Sequence, residues 1–329
     1  MKRFKRILCV VEPRQITETV LERAVSLAQN NQAALTVVAV APRVTAGISM
    51  PDGGPISLEL QKVAIADARQ QLENAVAPFR SRITIDVKVL MGTAFLEIIR
   101  EVLRHGHDLV IKAPENLAWL ERLFGSDDMH LLRKCPCPVW LVKHSSSKSY
   151  RRILAAVDVD ADHPATELAI RHKLNVKILE LAVSLALSDF AELHVAHAWE
   201  AIGESAMWGA FLHRPDAEVI THVEQVRQQH EQGLDDLLSD VVKSRDEDAL
   251  QYLSPKRHLV KGQAQKEIPR LAKSLEADLV VMGTVARTGV AGLFIGNTAE
   301  AILEQIECSV LAVKPEGFET PVSSEDRHD

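Results

Sequence analysis

The chain has 329 residues, of which 47% are hydrophobic, enough for about two domains with buried cores, and this excludes a disordered chain. Its formal net charge of −7 excludes an overall positive field that would attract nucleic acid or an anionic membrane. The longest apolar runs are far shorter than the ~20 residues needed to cross a bilayer, and the N-terminus lacks a signal-peptide pattern. Four scattered cysteines do not form a disulfide framework, so we expect a cytoplasmic protein with reduced thiols.

The sequence repeats itself with a period near half its length. Residues 6–12 match residues 152–158, each an apolar run that ends in an acid. Residues 92–111 match residues 262–281, and residues 137–143 match residues 308–314. We therefore predict two homologous domains at residues 1–144 and 151–315, joined by a polar linker at 145–150. Residues 316–329 have the composition of a disordered tail.

Within each repeat, short runs rich in Val, Ile and Leu alternate with longer segments of helical period. This pattern is typical of a parallel sheet with helices on both faces. The first domain has predicted strands at 6–11, 34–40, 83–90, 108–112 and 138–143, and helices at 16–30, 57–77, 94–105 and 127–134. The second has strands at 152–157, 192–198, 255–261, 278–282 and 309–313, and helices at 166–188, 216–243, 264–276 and 298–306. The predicted fold class is α/β, with two tandem doubly wound, Rossmann-like domains of five parallel strands each.

Ligands of such sheets bind beyond the carboxyl ends of the strands, where the strand order reverses. In the second domain this place is occupied by Asp158, after the first strand, and by a loop after the fourth strand that runs from Gly283 to Thr298. Glycines in that loop allow backbone N–H groups to approach phosphate oxygens, and the following helix adds its dipole. Asp158 has two open interpretations, a ligand contact or a cap for the turn into the next helix.

An acid after the first strand and a glycine-containing loop after the fourth resemble the universal stress protein family. The resemblance covers both halves, so the chain is similar to tandem proteobacterial members, and segments 109–112 and 130–135 support that subgroup. It implies an adenine nucleotide alpha hydrolase-like fold and a bound ATP or AMP, with Mg²⁺ if the ligand is a triphosphate. Asp158 would contact the ribose or base, and the backbone of Val195 and Ala196 would lie beside the adenine. The residues expected around the phosphates are Gly283, Ala286, Arg287, Gly289, Gly296, Asn297 and Thr298.

The loop departs from the family motif at two positions, since Ala286 replaces a glycine and Asn297 replaces a serine or threonine. A left-handed alanine costs roughly 1–2 kcal/mol, which weakens binding by about tenfold. In the first domain, residues 113–124 contain no glycine, and Pro114 has no N–H to donate. Glu115 would repel a phosphate by roughly 4 kcal/mol at about 4 Å and an effective dielectric near 20. We therefore predict that the first domain binds no nucleotide.

No metal site or catalytic constellation is predicted. His194 and His197 lie three apart on a strand and so point to opposite faces, which prevents joint chelation. Cys135 and Cys137 with His130 are interpreted as turn and core, with a metal or redox pair as the alternative. The motifs of NAD enzymes, P-loop ATPases, zinc proteases and esterases do not occur, so nothing in the sequence identifies an enzyme.

The resemblance implies a bacterial stress-response protein, which we expect to be cytosolic and to act as a ligand-binding or scaffold module. The alternatives are a slow ATPase or phosphotransferase that uses the same loop, and a carrier of an apolar metabolite or lipid. The edge segment between Val139 and Lys143 is expected to pair antiparallel with the segment between Val310 and Lys314, which makes the chain an internal pseudo-dimer. A further homodimer stays open, and neither nucleic acid nor membrane is an expected partner.

Overall fold

A computed structural model describes residues 4–12, 18–44, 55–114, 126–143, 149–204, 207, 215–244, 252–284 and 295–324. In these ranges each half alternates strands with helices. The strands of the first half are β1 (Arg6–Val10), β2 (Ala34–Ala41), β3 (Ile85–Met91), β4 (Leu109–Lys112) and β5 (Val139–Leu141). Its helices are α1 (Glu18–Asn31), α2 (Pro55–Val76), α3 (Ala94–His105) and α4 (Asp127–Lys134), with a short 3₁₀ turn at Ala77–Phe79.

The second half repeats this order with longer helices. Its strands are β6 (Arg152–Ala156), β7 (Glu192–Trp199), β8 (Lys256–Lys261), β9 (Leu279–Gly283) and β10 (Ser309–Val313). Its helices are α5 (Ala165–Asp189), α6 (Asp216–Ser244), α7 (Ala264–Ser274) and α8 (Asn297–Leu303). Each predicted strand and helix is present, with ends that differ by a few residues.

All ten strands form one sheet in the order β3-β2-β1-β4-β5-β10-β9-β6-β7-β8. The strands of each half are parallel to one another, which confirms the predicted doubly wound fold. The halves meet where β5 and β10 pair antiparallel, with Trp140 opposite Leu311. The predicted internal pseudo-dimer is therefore present, and each half covers the sheet edge of the other.

Apolar residues cover both faces of this sheet because the strands alternate their side chains between two helical layers. One core cluster joins strand residues such as Ile7 and Ile153 to α1, α2, α5 and α6. The other joins residues such as Leu8 and Leu154 to α3, α4, α7 and α8. Both clusters contain residues from the two domains, so the domain boundary lies inside a continuous core.

Polar contacts also connect the halves on either side of the sheet. The Arg23 guanidinium of α1 lies 2.9 Å from the Asp189 carboxylate at the end of α5 and stacks over the Tyr150 ring at 3.4 Å. On the other side, Arg133 of α4 forms an ion pair with Glu300 of α8. These contacts fix the relative orientation of the two domains.

The described parts of the predicted linker and of the predicted C-terminal tail contact the folded chain. Residues 144–148 lie outside the described residues, but Tyr150 is buried and its N–H donates to Asp189 Oδ2 at 2.7 Å. Residues 316–324 contact the folded chain, although their composition predicts disorder. Arg104 donates to the Ser324 carbonyl at 3.0 Å, and Val322 packs against the core. Two apolar side chains, Phe318 and Val322, give this segment something to bury, which its mean composition does not reveal.

Candidate functional site

Strand order reverses between β6 and β9 in the second domain, and Asp158 lies just beyond this point. The last paired residues are Ala156 of β6 and Met282 of β9. Asp158 follows on one side and Thr284 on the other, and the Thr284 carbonyl accepts the Gly296 N–H at 2.9 Å. Asp158, Gly283 and the start of α8 therefore meet at the carboxyl ends of two adjacent strands, as the topology predicts.

The Asp158 carboxylate is already held by its own loop and by α5. Its Oδ2 atom accepts from Arg171 Nη1 at 2.5 Å and lies 3.3 Å from His163 Nε2. Its Oδ1 atom accepts the N–H of Asp160 at 3.2 Å, and Asn175 bonds to its backbone N–H and carbonyl. These contacts support the interpretation of Asp158 as a cap of the turn. At the same time, 47% of the Asp158 side chain is exposed to solvent.

Gly283 ends β9 and has a structural reason to be glycine. A Cβ atom built there would stand 2.7 Å from Leu174 Cδ2, a buried side chain of α5. The predicted reason was close approach of a ligand to the backbone, whereas the observed close approach is that of Leu174. Helix α5 therefore seals one face of the sheet beside the switch point.

Helix α8 begins after β9 with Gly296 as its N-cap, at φ −65° and ψ 141°, and this residue donates its N–H to the Thr284 carbonyl. Asn297 is the first helical residue, and both it and Thr298 are exposed. Ala286, Arg287 and Gly289 lie outside the described residues.

Val195 and Ala196, whose backbone is expected beside the adenine, belong to the strand that pairs with β6. Both are fully buried in β7, and the Ala196 carbonyl accepts the Val157 N–H at 2.9 Å. The next polar side chain on this strand is His197, whose Nε2 lies 2.9 Å from Nδ1 of His230 on α6. Burial lowers the pKa of His197. The sequence did not predict this pair, because the two histidines are 33 residues apart and belong to a strand and a helix whose packing it does not specify.

A second histidine pair lies on the opposite face of β7. Nδ1 of His194 is 2.9 Å from Nε2 of His258 on β8, and the two rings stack. Burial lowers the pKa of both rings. His194 and His197 therefore have different partners, as expected for residues three apart on a strand.

The same switch point in the first domain is occupied by an internal ion pair. Lys112 at the end of β4 is buried, and its ammonium lies 2.6 Å from Oδ1 of Asp128 in the first turn of α4. Glu12, the counterpart of Asp158, lies 3.8 Å from the same ammonium. The repeat places Met282 and Ala299 where the first domain has Lys112 and Asp128, so the second domain lacks this pair.

Comparison with known proteins agrees with the repeat and the fold. The model of the universal stress protein family matches residues 3–143 and again residues 149–314. The chain belongs to the universal stress protein family. This universal stress protein has two family domains in tandem, each of which supplies five strands of the common sheet.

Curated relatives match this chain along nearly its whole length. Universal stress protein E of Escherichia coli K12 is 29% identical over the whole of both chains. Its homologue in Haemophilus influenzae is 28% identical over 95% of this chain and 98% of that one. The tandem architecture is thus shared with the E-type proteins along the full length.

Solved structures give the same result. A universal stress protein of Pseudomonas aeruginosa UCBPP-PA14 aligns with a TM-score of 0.65 and 28% identity, covering 95% of this chain and 94% of that chain. One from Archaeoglobus fulgidus DSM 4304 aligns at 0.57 and 17% identity over 93% and 98%, which shows a shared fold. Among the described residues, none of the helices has the length and apolar character needed to span a membrane.

Proposed function

We propose that this universal stress protein binds an adenine nucleotide at the switch point of its second domain and works as a ligand-binding module of the stress response. The observation that carries the proposal is the contrast between the two switch points. The first domain places Lys112 and Asp128 there, whereas the second has two small or flexible apolar residues, Met282 and Ala299. An anion that enters the first site must compete with a buried carboxylate, and one that enters the second does not.

Charges around Asp158 are compatible with such a ligand. Arg171 donates to the Asp158 carboxylate at 2.5 Å and His163 lies 3.3 Å from it, so the charge of this carboxylate is compensated. The exposed half of Asp158 is available for ribose hydroxyls. In this proposal the exposed first turn of α8 at Asn297 and Thr298 is on the phosphate side. By their positions in the sequence, Ala286, Arg287 and Gly289 are further candidates for phosphate contact.

The proposal is tested by titrating the full chain with ATP and with AMP in a calorimeter, with and without Mg²⁺. We expect one nucleotide per chain. Gly296→Asp should weaken binding by at least about tenfold, because a carboxylate near phosphate repels it by up to a few kcal/mol. The φ of −65° at this position suits any L-residue, so the fold should tolerate the change.

A matched control is Gly125→Asp, the same substitution at the corresponding position of the first domain. We expect it to leave the affinity and the stoichiometry unchanged. Two nucleotides per chain, no binding, or equal losses in the two variants would contradict the proposal. Incubation with labelled ATP tests the ATPase alternative, since turnover that Gly296→Asp abolishes would support an enzyme. Native mass spectrometry of the purified chain tests the carrier alternative through any co-purified apolar ligand.

A further inference from the structure

Three side chains with metal-binding atoms converge at the end of α3, far from the switch point. Glu101 and His105 are four residues apart and share one helix face. Gly106 ends the helix with a left-handed φ of 63°, and this turn brings His107 back toward the same place. His107 Nε2 and His105 Nδ1 lie 3.6 and 3.1 Å from Glu101 Oε1.

These distances are close to those of a metal coordination sphere. Zinc binds imidazole nitrogen and carboxylate oxygen at about 2.0–2.2 Å in a tetrahedron, which separates neighbouring ligand atoms by about 3.3–3.5 Å. One ligand atom from each of the three residues lies within 4.8 Å of the others. The ligand atoms of the two imidazoles lie within 4.8 Å of each other, so the rings would have to rotate toward one another to complete the geometry.

Burial of polar side chains in this cluster costs free energy of folding, which a bound metal ion would offset. Glu101 and His107 are buried, and within the described ranges neither ring nitrogen of His107 has a hydrogen-bond partner. An unpaired buried polar atom costs about 1–3 kcal/mol.

The fold itself does not require polar residues here. In the second domain the positions that correspond to the three ligands are occupied by Leu271, Leu275 and Ala277. All three belong to or pack against the core cluster on that face of the sheet. The first domain therefore has a carboxylate and two imidazoles where its own repeat shows that apolar side chains suffice.

The ammonium group of Lys88 on β3 lies against the cluster, which shows that the cluster attracts positive charge. Its ammonium lies 2.8 Å from Glu101 Oε1 and 3.4 Å from His105 Nε2. It also lies 3.8 Å from the exposed carboxylate of Asp86, a second partner toward which it can turn. The carbonyl end of α3 adds a favourable potential for a cation.

We propose that Glu101, His105 and His107 bind a divalent transition-metal ion of the zinc type, with water as the remaining ligand. Two imidazoles and one carboxylate are a donor set that suits Zn²⁺, and three protein ligands leave one position open. Binding displaces Lys88 from Glu101 toward Asp86. The metal site lies at the amino-terminal end of β4. The proposed nucleotide site lies at the other end of the strands, beyond their carboxyl termini.

The test uses the full chain after removal of metal with a chelator, titrated with Co²⁺ and then with Zn²⁺. We expect one tight Co²⁺ with the intense visible absorption of a four-coordinate site, displaced by Zn²⁺. His105→Gln should weaken Zn²⁺ binding by at least about tenfold, since even outer-shell changes cost 10–100-fold. Lys88→Met should tighten it, because the competing ammonium is gone.

A matched control is His172→Gln, which alters a histidine of the second domain with a similar exposed fraction, 50% against 48% for His105. It should leave the affinity unchanged. If His105→Gln perturbs folding, the combination Glu101→Leu, His105→Leu and His107→Ala copies the second domain and should fold but bind no metal. Absence of tight binding, a weak six-coordinate Co²⁺ spectrum, or an affinity unchanged in that combination would overturn the proposal.

Discussion

Lys314 offers a test of how the two domains are joined. It follows β10, is only 1% exposed, and donates from its ammonium to the Leu132 carbonyl at 2.6 Å and the Arg133 carbonyl at 3.3 Å. The lysine of the second domain thus caps the carboxyl end of α4 in the first. Burial lowers its pKa from 10.5 to about 7, and the nearby Cys135 opposes this only in part.

This shift makes stability depend on pH in a defined direction. In the unfolded chain the lysine keeps its ordinary pKa, so between pH 7 and 10.5 the unfolded state binds more protons than the folded one. The free energy of unfolding must then rise with pH by up to about 1.4 kcal/mol per unit in this window. Over two pH units the contribution of Lys314 amounts to about 2–3 kcal/mol.

The assay is urea unfolding of the full chain between pH 7.5 and 9.5. We expect the slope of unfolding free energy against pH to fall by about 1.4 kcal/mol per unit in Lys314→Met relative to the parent. Lys143→Met is the control, because Lys143 occupies the corresponding position in the first domain and donates to the Glu307 carbonyl at 2.5 Å, but is exposed. Equal slopes in the parent and Lys314→Met would refute the reasoning.

Three further predictions concern packing and charge. Gly283→Ala should destabilise the chain by about 1 kcal/mol, and in urea unfolding the double variant with Leu174→Ala should lose less stability than the sum of the two single losses; strict additivity would argue against the contact. Because the pKa of His197 is lowered, the unfolded state takes up its proton first as pH falls below about 6.5, so stability should drop there. His197→Gln should reduce that drop in melting temperature, and an unchanged drop would contradict the assignment. Asp189→Asn should cost about 3–5 kcal/mol, since it removes the carboxylate from the buried guanidinium of Arg23, whereas a cost below 1 kcal/mol would exclude a buried pair.

Much of the architecture follows from the sequence because it depends on patterns that are local or repeated. Apolar runs of five to eight residues between helical segments mark strands wherever they occur, and the matched segments 6–12 and 152–158 identify the same strand twice. Pairing of β5 with β10 also follows, because two equivalent edges in one chain can cover each other. Each of these steps needs only residue type and spacing.

Site chemistry is less predictable because it depends on side chains from distant elements. The pairing of Lys112 with Asp128 needs the direction of α4 relative to β4, which the sequence does not specify. The bond between His197 and His230 needs the packing of α6 on β7. The reason for Gly283 is Leu174, a residue of another helix. In each case the sequence identifies one residue of the pair as noteworthy, and only the folded structure identifies its partner.

The two domains differ in opposite ways at opposite edges of one sheet, and this separates the two proposals experimentally. At the carboxyl edge the first domain fills its switch point with an ion pair and the second does not. At the other edge the first domain has a carboxylate and two imidazoles where the second has apolar core residues. Gly296→Asp should therefore leave metal affinity unchanged, and His105→Gln should leave nucleotide affinity unchanged. Since the repeats share one fold, features that only one repeat has are not needed for folding, and they are where specialised function is expected.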